Sequence, residues 1–177
     1  GCMQEGIENE AASLAGSLKL GKLIVFYDKN DITIEGNINI TFAEDVGKRH
    51  EALGWQVIKV DDANNLVKLN RAIKKAKAEK EKPSLIIIKS QIGYGSHLVG
   101  KASCHGAPLG EEGVATLKQN LGWTSAPFEV PEEVFKHCKK FANKGRKAQR
   151  AWKAMFAEYA EKYPELAKEY KAWKNKE

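Results

Sequence analysis

The sequence predicts an α/β protein: a parallel sheet flanked by helices, with further helices at the C-terminal end. Three observations carry this. Residues 23–27, 55–60 and 84–89 are short apolar runs rich in branched and aromatic side chains, as in strands covered on both faces. The stretches between them have helical spacing and composition, and the order strand, helix, strand, helix, strand calls for parallel pairing through right-handed crossovers.

In chain order, residues 4–18 are predicted helical, because Ile7, Ala11, Leu14, Ala15 and Leu18 recur at helical spacing and Gly21 follows as a terminator. The first strand ends in polar Asp28-Lys29-Asn30-Asp31, and a short alternating piece, 32–34, leads to Gly36. Residues 43–53 form a helix with acids at its start and bases toward its middle, closed by Gly54. After the second strand, residues 65–80 place Leu66, Leu69, Ile73 and Ala76 on a helix that leads to the third. Regular patterning stops between Gln91 and Gly110, where Gly93, Gly95, Gly100 and Gly106 leave a long loop of the kind that is functional or mobile. Beyond it, residues 111–121 are predicted helical, 127–131 extended and 132–143 helical. In the last helix Trp152, Phe156, Tyr159 and Tyr163 share a face before Pro164 interrupts it. The expected division is 1–131 for the α/β part and 132–177 for a helical extension of the same domain.

The 177 residues, 42% hydrophobic and 29% charged, suit one globular domain with a sizeable core. No apolar run approaches the ~20 residues that cross a bilayer, and residues 1–10 lack the pattern of a secretory signal, so a cytoplasmic protein with no membrane partner is expected. Cys2, Cys104 and Cys138 form no CxxC pair and read as free thiols. The net charge of +6 gathers near residues 139–153, which reads as a solvated helix face and not as a nucleic-acid contact, with attraction for phosphorylated substrates second. The chain opens at Gly1 in the middle of a motif, so a piece of a longer polypeptide is expected.

Ligands of open α/β sheets gather at the carboxyl ends of the strands, where loops and helix N-termini present free backbone N–H groups. Residues 28–34 and 91–105 are two such ends, and the start of the first helix near Gly1 is a third element that a phosphate can approach. Asn30 with a neighbouring carbonyl suits a divalent cation whose shell is completed by diphosphate oxygens. Taken alone, an Asp/Asn segment like this is more often an ordinary turn. His105, followed by Gly106 and Pro108, suits a hydrogen bond to a phosphate or sugar oxygen and proton transfer near neutral pH, against the plainer alternative of an idle loop histidine. Cys104 has no acid partner and reads as a packed thiol. Glu5 and Glu10 are explained by the helix dipole alone, and His50, His97 and His137 receive no role. The aromatic stripe from Trp152 to Tyr163 reads as packing.

Together these stretches resemble the transketolase family. Gly1-Cys2-Met3-Gln4-Glu5-Gly6-Ile7 with Glu10-Ala11 is similar to the family's GDGCxQEG segment without its first two residues. Leu18-Lys19-Leu20-Gly21, Tyr27-Asp28, Asn30, Ile32-Thr33-Ile34 and Gly36 resemble the second half of the thiamine diphosphate signature. Ile92-Gly93-Tyr94-Gly95-Ser96, His105-Gly106-Ala107-Pro108-Leu109-Gly110, Leu121-Gly122-Trp123 and Ala126-Pro127-Phe128-Glu129-Val130-Pro131 follow in family order, so the resemblance covers essentially the whole chain.

The resemblance implies the pyrophosphate domain of the thiamine diphosphate-binding fold, truncated at its N-terminus. It implies thiamine diphosphate with Mg2+ (or Ca2+) as cofactors, Gly1 backbone on the diphosphate, Asn30 as a side-chain metal ligand and Ile32 as a carbonyl ligand. It also implies Ile34 and Ile92 against the thiazolium and His105 as the catalytic histidine on diphosphate and sugar. Glu5 and Glu10 would lie at the interface of a homodimer, linking its active sites. The implied activity is reversible transfer of a two-carbon ketol unit from a ketose phosphate to an aldose phosphate in the pentose phosphate pathway. The activating glutamate would come from a pyrimidine-binding domain outside these residues, so the chain alone is expected to bind cofactor weakly and not to turn over. Three departures stand: the family's metal-binding aspartate precedes Gly1, Lys29 replaces an acid or amide, and the loop 96–103 lacks a second histidine that some relatives carry near there, for which His97 is a partial replacement. A dihydroxyacetone synthase, a deoxyxylulose phosphate synthase and a non-catalytic split subunit are the alternatives.

Overall fold

The three apolar runs become one parallel sheet in a computed structural model that describes residues 1–176. Strands β1 (Ile24–Lys29), β2 (Gln56–Val60) and β3 (Ser84–Lys89) lie in the order β1-β3-β2, with Ile24 and Gln56 both opposite Ser84. The central position of β3 explains its composition: Ser84, Leu85 and Ile86 have no exposed surface. Alternation along the strands sorts side chains into two layers.

On one face Val25, Tyr27, Val57, Leu85 and Ile87 meet Met3, Ala12, Ala15, Val46 and Trp55. These come from α1 (Gly6–Ser17), α2 (Val46–Ala52) and their flanking segments. On the other face Ile24, Ile58, Val60, Ile86 and Ile88 meet Leu69, Ala72, Ile73 and Ala76 of α3 (Leu66–Ala78). Two glycines set close approaches here. A Cβ on Gly16 would stand 1.8 Å from the Leu53 carbonyl oxygen and one on Gly21 1.9 Å from that of Lys80; Gly21 is thus needed for backbone contact, whereas α1 is ended earlier, by Lys19 in a left-handed conformation with φ 51°. The Trp55 indole N–H, donated to the Ala12 carbonyl at 2.8 Å, ties α1 to the start of β2.

The expected helix 43–53 begins only at Val46, because the Asp45 side chain turns back to accept the Lys48 N–H and caps it. Asn65 caps α3 in the same way through the Lys68 N–H. The alternating piece 32–34 is an isolated antiparallel bridge between Ile32 and Asn37, and the long loop after β3 contains only a short helical turn, Ala102–Cys104, before α4 (Gly110–Asn120).

The chain divides into two compact units, the first being Gly1–Trp123. In the second, the expected helix 132–143 and the aromatic helix after it are one element, α5 (Glu132–Lys162), which runs through Gly145; α6 (Pro164–Asn175) follows with Pro164 in its first turn. No described helix is long and apolar enough to cross a membrane. Cys2, Cys104 and Cys138 are free thiols.

Candidate functional site

The carboxyl ends of β1 and β3 are held together beyond the last ladder pair. Ser90 donates its backbone N–H to the Lys29 carbonyl at 3.2 Å and its hydroxyl to the Asp28 carboxylate. The loops that begin at Asn30 and Gln91 therefore leave the sheet side by side, as the strand order requires.

Asn30 is half-buried, and its Oδ1 accepts the Ile32 N–H at 3.1 Å, an Asx turn. Asp31 takes a left-handed conformation with φ 60° to make the reversal, which Asp tolerates better than most residues. The bridge beyond is closed by its flanks, Thr33 N–H to Gly36 O at 2.7 Å and Ile38 N–H to Asp31 O at 3.0 Å. That is the non-hydrogen-bonded kind of antiparallel pair, so the N–H and C=O of Ile32 face away from Asn37. The Ile32 N–H is the one that Asn30 receives, so Asn30 Oδ1 and the Ile32 carbonyl share one edge of the loop. Oδ1 has a second lone pair. Two neutral oxygens on a common edge are the donor class that Mg2+ or Ca2+ prefers, with a charged ligand and phosphate oxygens still to be supplied from elsewhere. Among the described residues no group of three His, Cys, Asp or Glu side chains offers a competing metal site.

The other expected residues are more scattered. Ile34 is 68% exposed at the tip of the same loop, inside the turn closed by Thr33 and Gly36. Ile92 is half-buried where the second loop starts, and its carbonyl accepts the Gly100 N–H at 2.9 Å. This loop is braced internally: the Ser96 hydroxyl donates to Gly93 O at 2.7 Å and accepts the Leu98 N–H, and Asn120 of α4 donates to Gly95 O. His105 follows the 102–104 turn, with its backbone N–H on the Ala102 carbonyl and its ring exposed. Gly1 opens a 3-10 turn, Cys2–Gln4, in which Gln4 donates to the Gly1 carbonyl at 2.8 Å. Among the described residues no hydrogen bond joins Gly1 or His105 to the Asn30 loop.

Glu5 and Glu10 are both exposed. The acid that α1 turns inward is Glu8, which sequence reasoning passed over. Its carboxylate contacts Arg49 and stands 2.9 Å from the His50 Nε2, joining α1 to α2. Burial works against the Arg49 charge, but the Glu8 hydrogen bond and charge, with Glu44 behind them, raise its pKa above the usual guanidinium value. Burial, followed by the Asp31 and Glu44 charges, pushes the nearby Tyr27 phenol up as well. A sequence signal existed only in hindsight: an Arg-His pair inside a short helix that must pack on a sheet.

A cavity of about 910 Å3 lies above the strand ends between the 38–47 segment and α3. Lys59, Arg71, Lys75 and Lys89 are among its lining, and none of the expected site residues is.

Comparison with known proteins places the chain among sequences described as "Transketolase, thiamine diphosphate binding domain", a match over residues 1–177. A transketolase of Streptococcus pyogenes is 49% identical over 180 residues, covering 99% of this chain and 24% of that protein. Transketolase 2 of Escherichia coli is 48% identical over 171 residues, covering 96% and 26%. Among solved structures, transketolase of Leishmania mexicana superposes with a TM-score of 0.90 at 37% identity. The Pichia stipitis enzyme in complex with sedoheptulose-7-phosphate gives 0.88 at 39%. Each of these two matches covers 97% of this chain and 26% of the other. The chain thus spans about a quarter of the length of the relatives it matches.

Proposed function

This chain belongs to the transketolase family as its thiamine diphosphate binding domain, and on that premise we propose that it is the diphosphate-holding part of an enzyme that moves a two-carbon ketol unit from a ketose phosphate to an aldose phosphate. The observation that carries the reading is the common edge of Asn30 Oδ1 and the Ile32 carbonyl. Those two oxygens would hold the Mg2+ or Ca2+ that neutralises the diphosphate, beside a Gly1 backbone that meets the phosphate oxygens. Thiamine diphosphate itself supplies the carbanion stabilisation that no side chain offers. Ile34 and Ile92 would give the thiazolium an apolar wall. His105 would hydrogen-bond the diphosphate and the bound sugar, and carry a proton at its ring nitrogens.

The remaining machinery would come from outside these residues: a pyrimidine-binding domain with its activating glutamate, and a second subunit met by α1 through Glu5 and Glu10. The sugar phosphate in the Pichia stipitis complex supports that substrate class. The pentose phosphate pathway and the cytoplasm are the setting that fits, and residues 132–177 would be a helical extension of the 1–131 domain.

In the full-length polypeptide carrying this chain, Asn30→Ala should raise the dissociation constant for thiamine diphosphate at limiting Mg2+ by about tenfold or more, roughly 1.4 kcal/mol. Titration calorimetry reads this directly, and an unchanged constant would remove Asn30 from the metal site.

A further inference from the structure

We propose that Glu8, Arg49 and His50 are positioning residues that hold the turn at residues 1–5 in the shape the diphosphate needs. The choice of ligand rests on the function proposed above; the clamp itself does not.

Arg49 is anchored on α2, which is capped by Asp45 and seated on the sheet through Val46. One guanidinium nitrogen, Nη1, reaches both the Glu8 carboxylate and the Asn9 side-chain oxygen, and the other, Nη2, donates to the Met3 carbonyl at 3.2 Å. Nε stands 2.7 Å from Glu44 Oε1, charge against charge but off the axis of a hydrogen bond. Glu8 in turn is fixed from its second oxygen by His50, whose ring is 1% exposed, has Nδ1 2.9 Å from the Val46 carbonyl and meets Trp55 edge-on at 5.1 Å. The side chains of Glu8 and Arg49 are each only 17% exposed, so the pairing is shielded from solvent and salt.

The first three carbonyls of the turn are engaged. Gly1 O accepts from Gln4, Cys2 O accepts from Glu5, and Met3 O accepts from Arg49. The first two bonds are internal to the turn, and the third is the one supplied from another element. A carbonyl released toward an incoming diphosphate repels it, and a turn that must be ordered on binding costs affinity. Arg49 removes both penalties before the ligand arrives. Only a planar fork reaches Glu8, Asn9, Met3 and Glu44 together, so lysine cannot replace it.

The test uses the full-length polypeptide with Arg49→Lys, which keeps the charge and loses the fork, and Glu8→Gln, which keeps the shape and loses the charge. Hydrogen exchange of the Gln4 and Glu5 amides is read without cofactor, and thiamine diphosphate affinity at saturating Mg2+ is read separately. In Arg49→Lys those two amides should exchange about tenfold faster and the cofactor should bind about tenfold more weakly, with β3 amides unchanged. Glu8→Gln should move both readouts the same way by less. Unchanged exchange at Gln4 and Glu5, or a rise spread evenly over the sheet, would overturn the proposal. If Arg49→Lys fails to fold, Glu8→Gln decides by the same two readouts. If the unmodified protein ignores thiamine diphosphate, the proposed function fails while the exchange result still judges the clamp.

Discussion

Helices α3 and α5 read alike in the sequence, each with apolar residues at helical spacing and lysines between them, yet their faces end differently. The 13 residues of α3 lay Leu69, Ala72, Ile73 and Ala76 on the sheet, and Ala76 has no exposed surface. The 31 residues of α5 bury none. Its aromatic stripe covers itself instead: Trp152 stacks on Phe156 at 5.1 Å, Phe156 on Tyr159, and Tyr170 of α6 leans on both Trp152 and Phe156. These rings and Met155 line a cavity of about 290 Å3. Periodicity thus fixes which side of a helix is apolar, whereas the cover depends on what the rest of the chain brings to it. A sheet brings a surface already ordered by its own hydrogen bonds; within the helical unit the contact to the α5 rings comes from Tyr170 of α6.

The sharpest way to break this contrast is to remove packing on each side. Ile86→Ala empties a site with no exposed surface between α3 and the sheet, and should cost about 2–5 kcal/mol in denaturant unfolding. Trp152 is 45% exposed, so Trp152→Ala should cost less, about 1–2 kcal/mol, chiefly from lost ring contacts. If the tryptophan change costs as much as the isoleucine change, α5 is covered as fully as α3 and the contrast fails.

The same distinction governs what could be read from the sequence. The three strands and α3 were legible because burial on both faces forces continuous apolar runs and a regular stripe. Elements governed by local side-chain bonds were less so: Asp45 draws back the start of α2, and the short alternating piece after Asn30 proves to be an isolated bridge. The helix expected to stop at Asn143 continues through Lys144 and Gly145, where an added Cβ would meet open space. At the candidate site, the pairing of Asn30 with Ile32 is an expectation that family resemblance supplies, since composition alone favours a plain turn. The Glu8 and Arg49 contact joins residues 41 positions apart, and no local pattern announces such a pair. Glu5 and Glu10 drew attention by lying in the motif, and the side chain that turns inward is the unremarked Glu8 between them.

The caps of α2 and α3 sharpen the comparison at its smallest scale, because they do the same job with different chemistry. Asp45 accepts the Lys48 N–H at 3.1 Å and Asn65 accepts the Lys68 N–H at 3.0 Å. The Lys48 backbone bond, with the nearby Lys59 and Lys48 charges assisting against a small desolvation penalty, holds the Asp45 carboxyl below the usual carboxylate range. A carboxyl whose pKa is lowered by folding stabilises the fold above its unfolded pKa, and that contribution is lost as pH falls through the lower folded value. Asn65 has no proton to gain. Between about pH 5 and about pH 2 the exchange protection of the Lys48 amide should therefore fall relative to that of Lys68, once intrinsic rates are divided out. Asp45→Asn should flatten the difference while leaving α2 capped at neutral pH. Equal loss of protection at both amides in the unmodified protein would mean that acid unfolds the sheet beneath them first, and that the two caps are not the part of these helices that responds to pH.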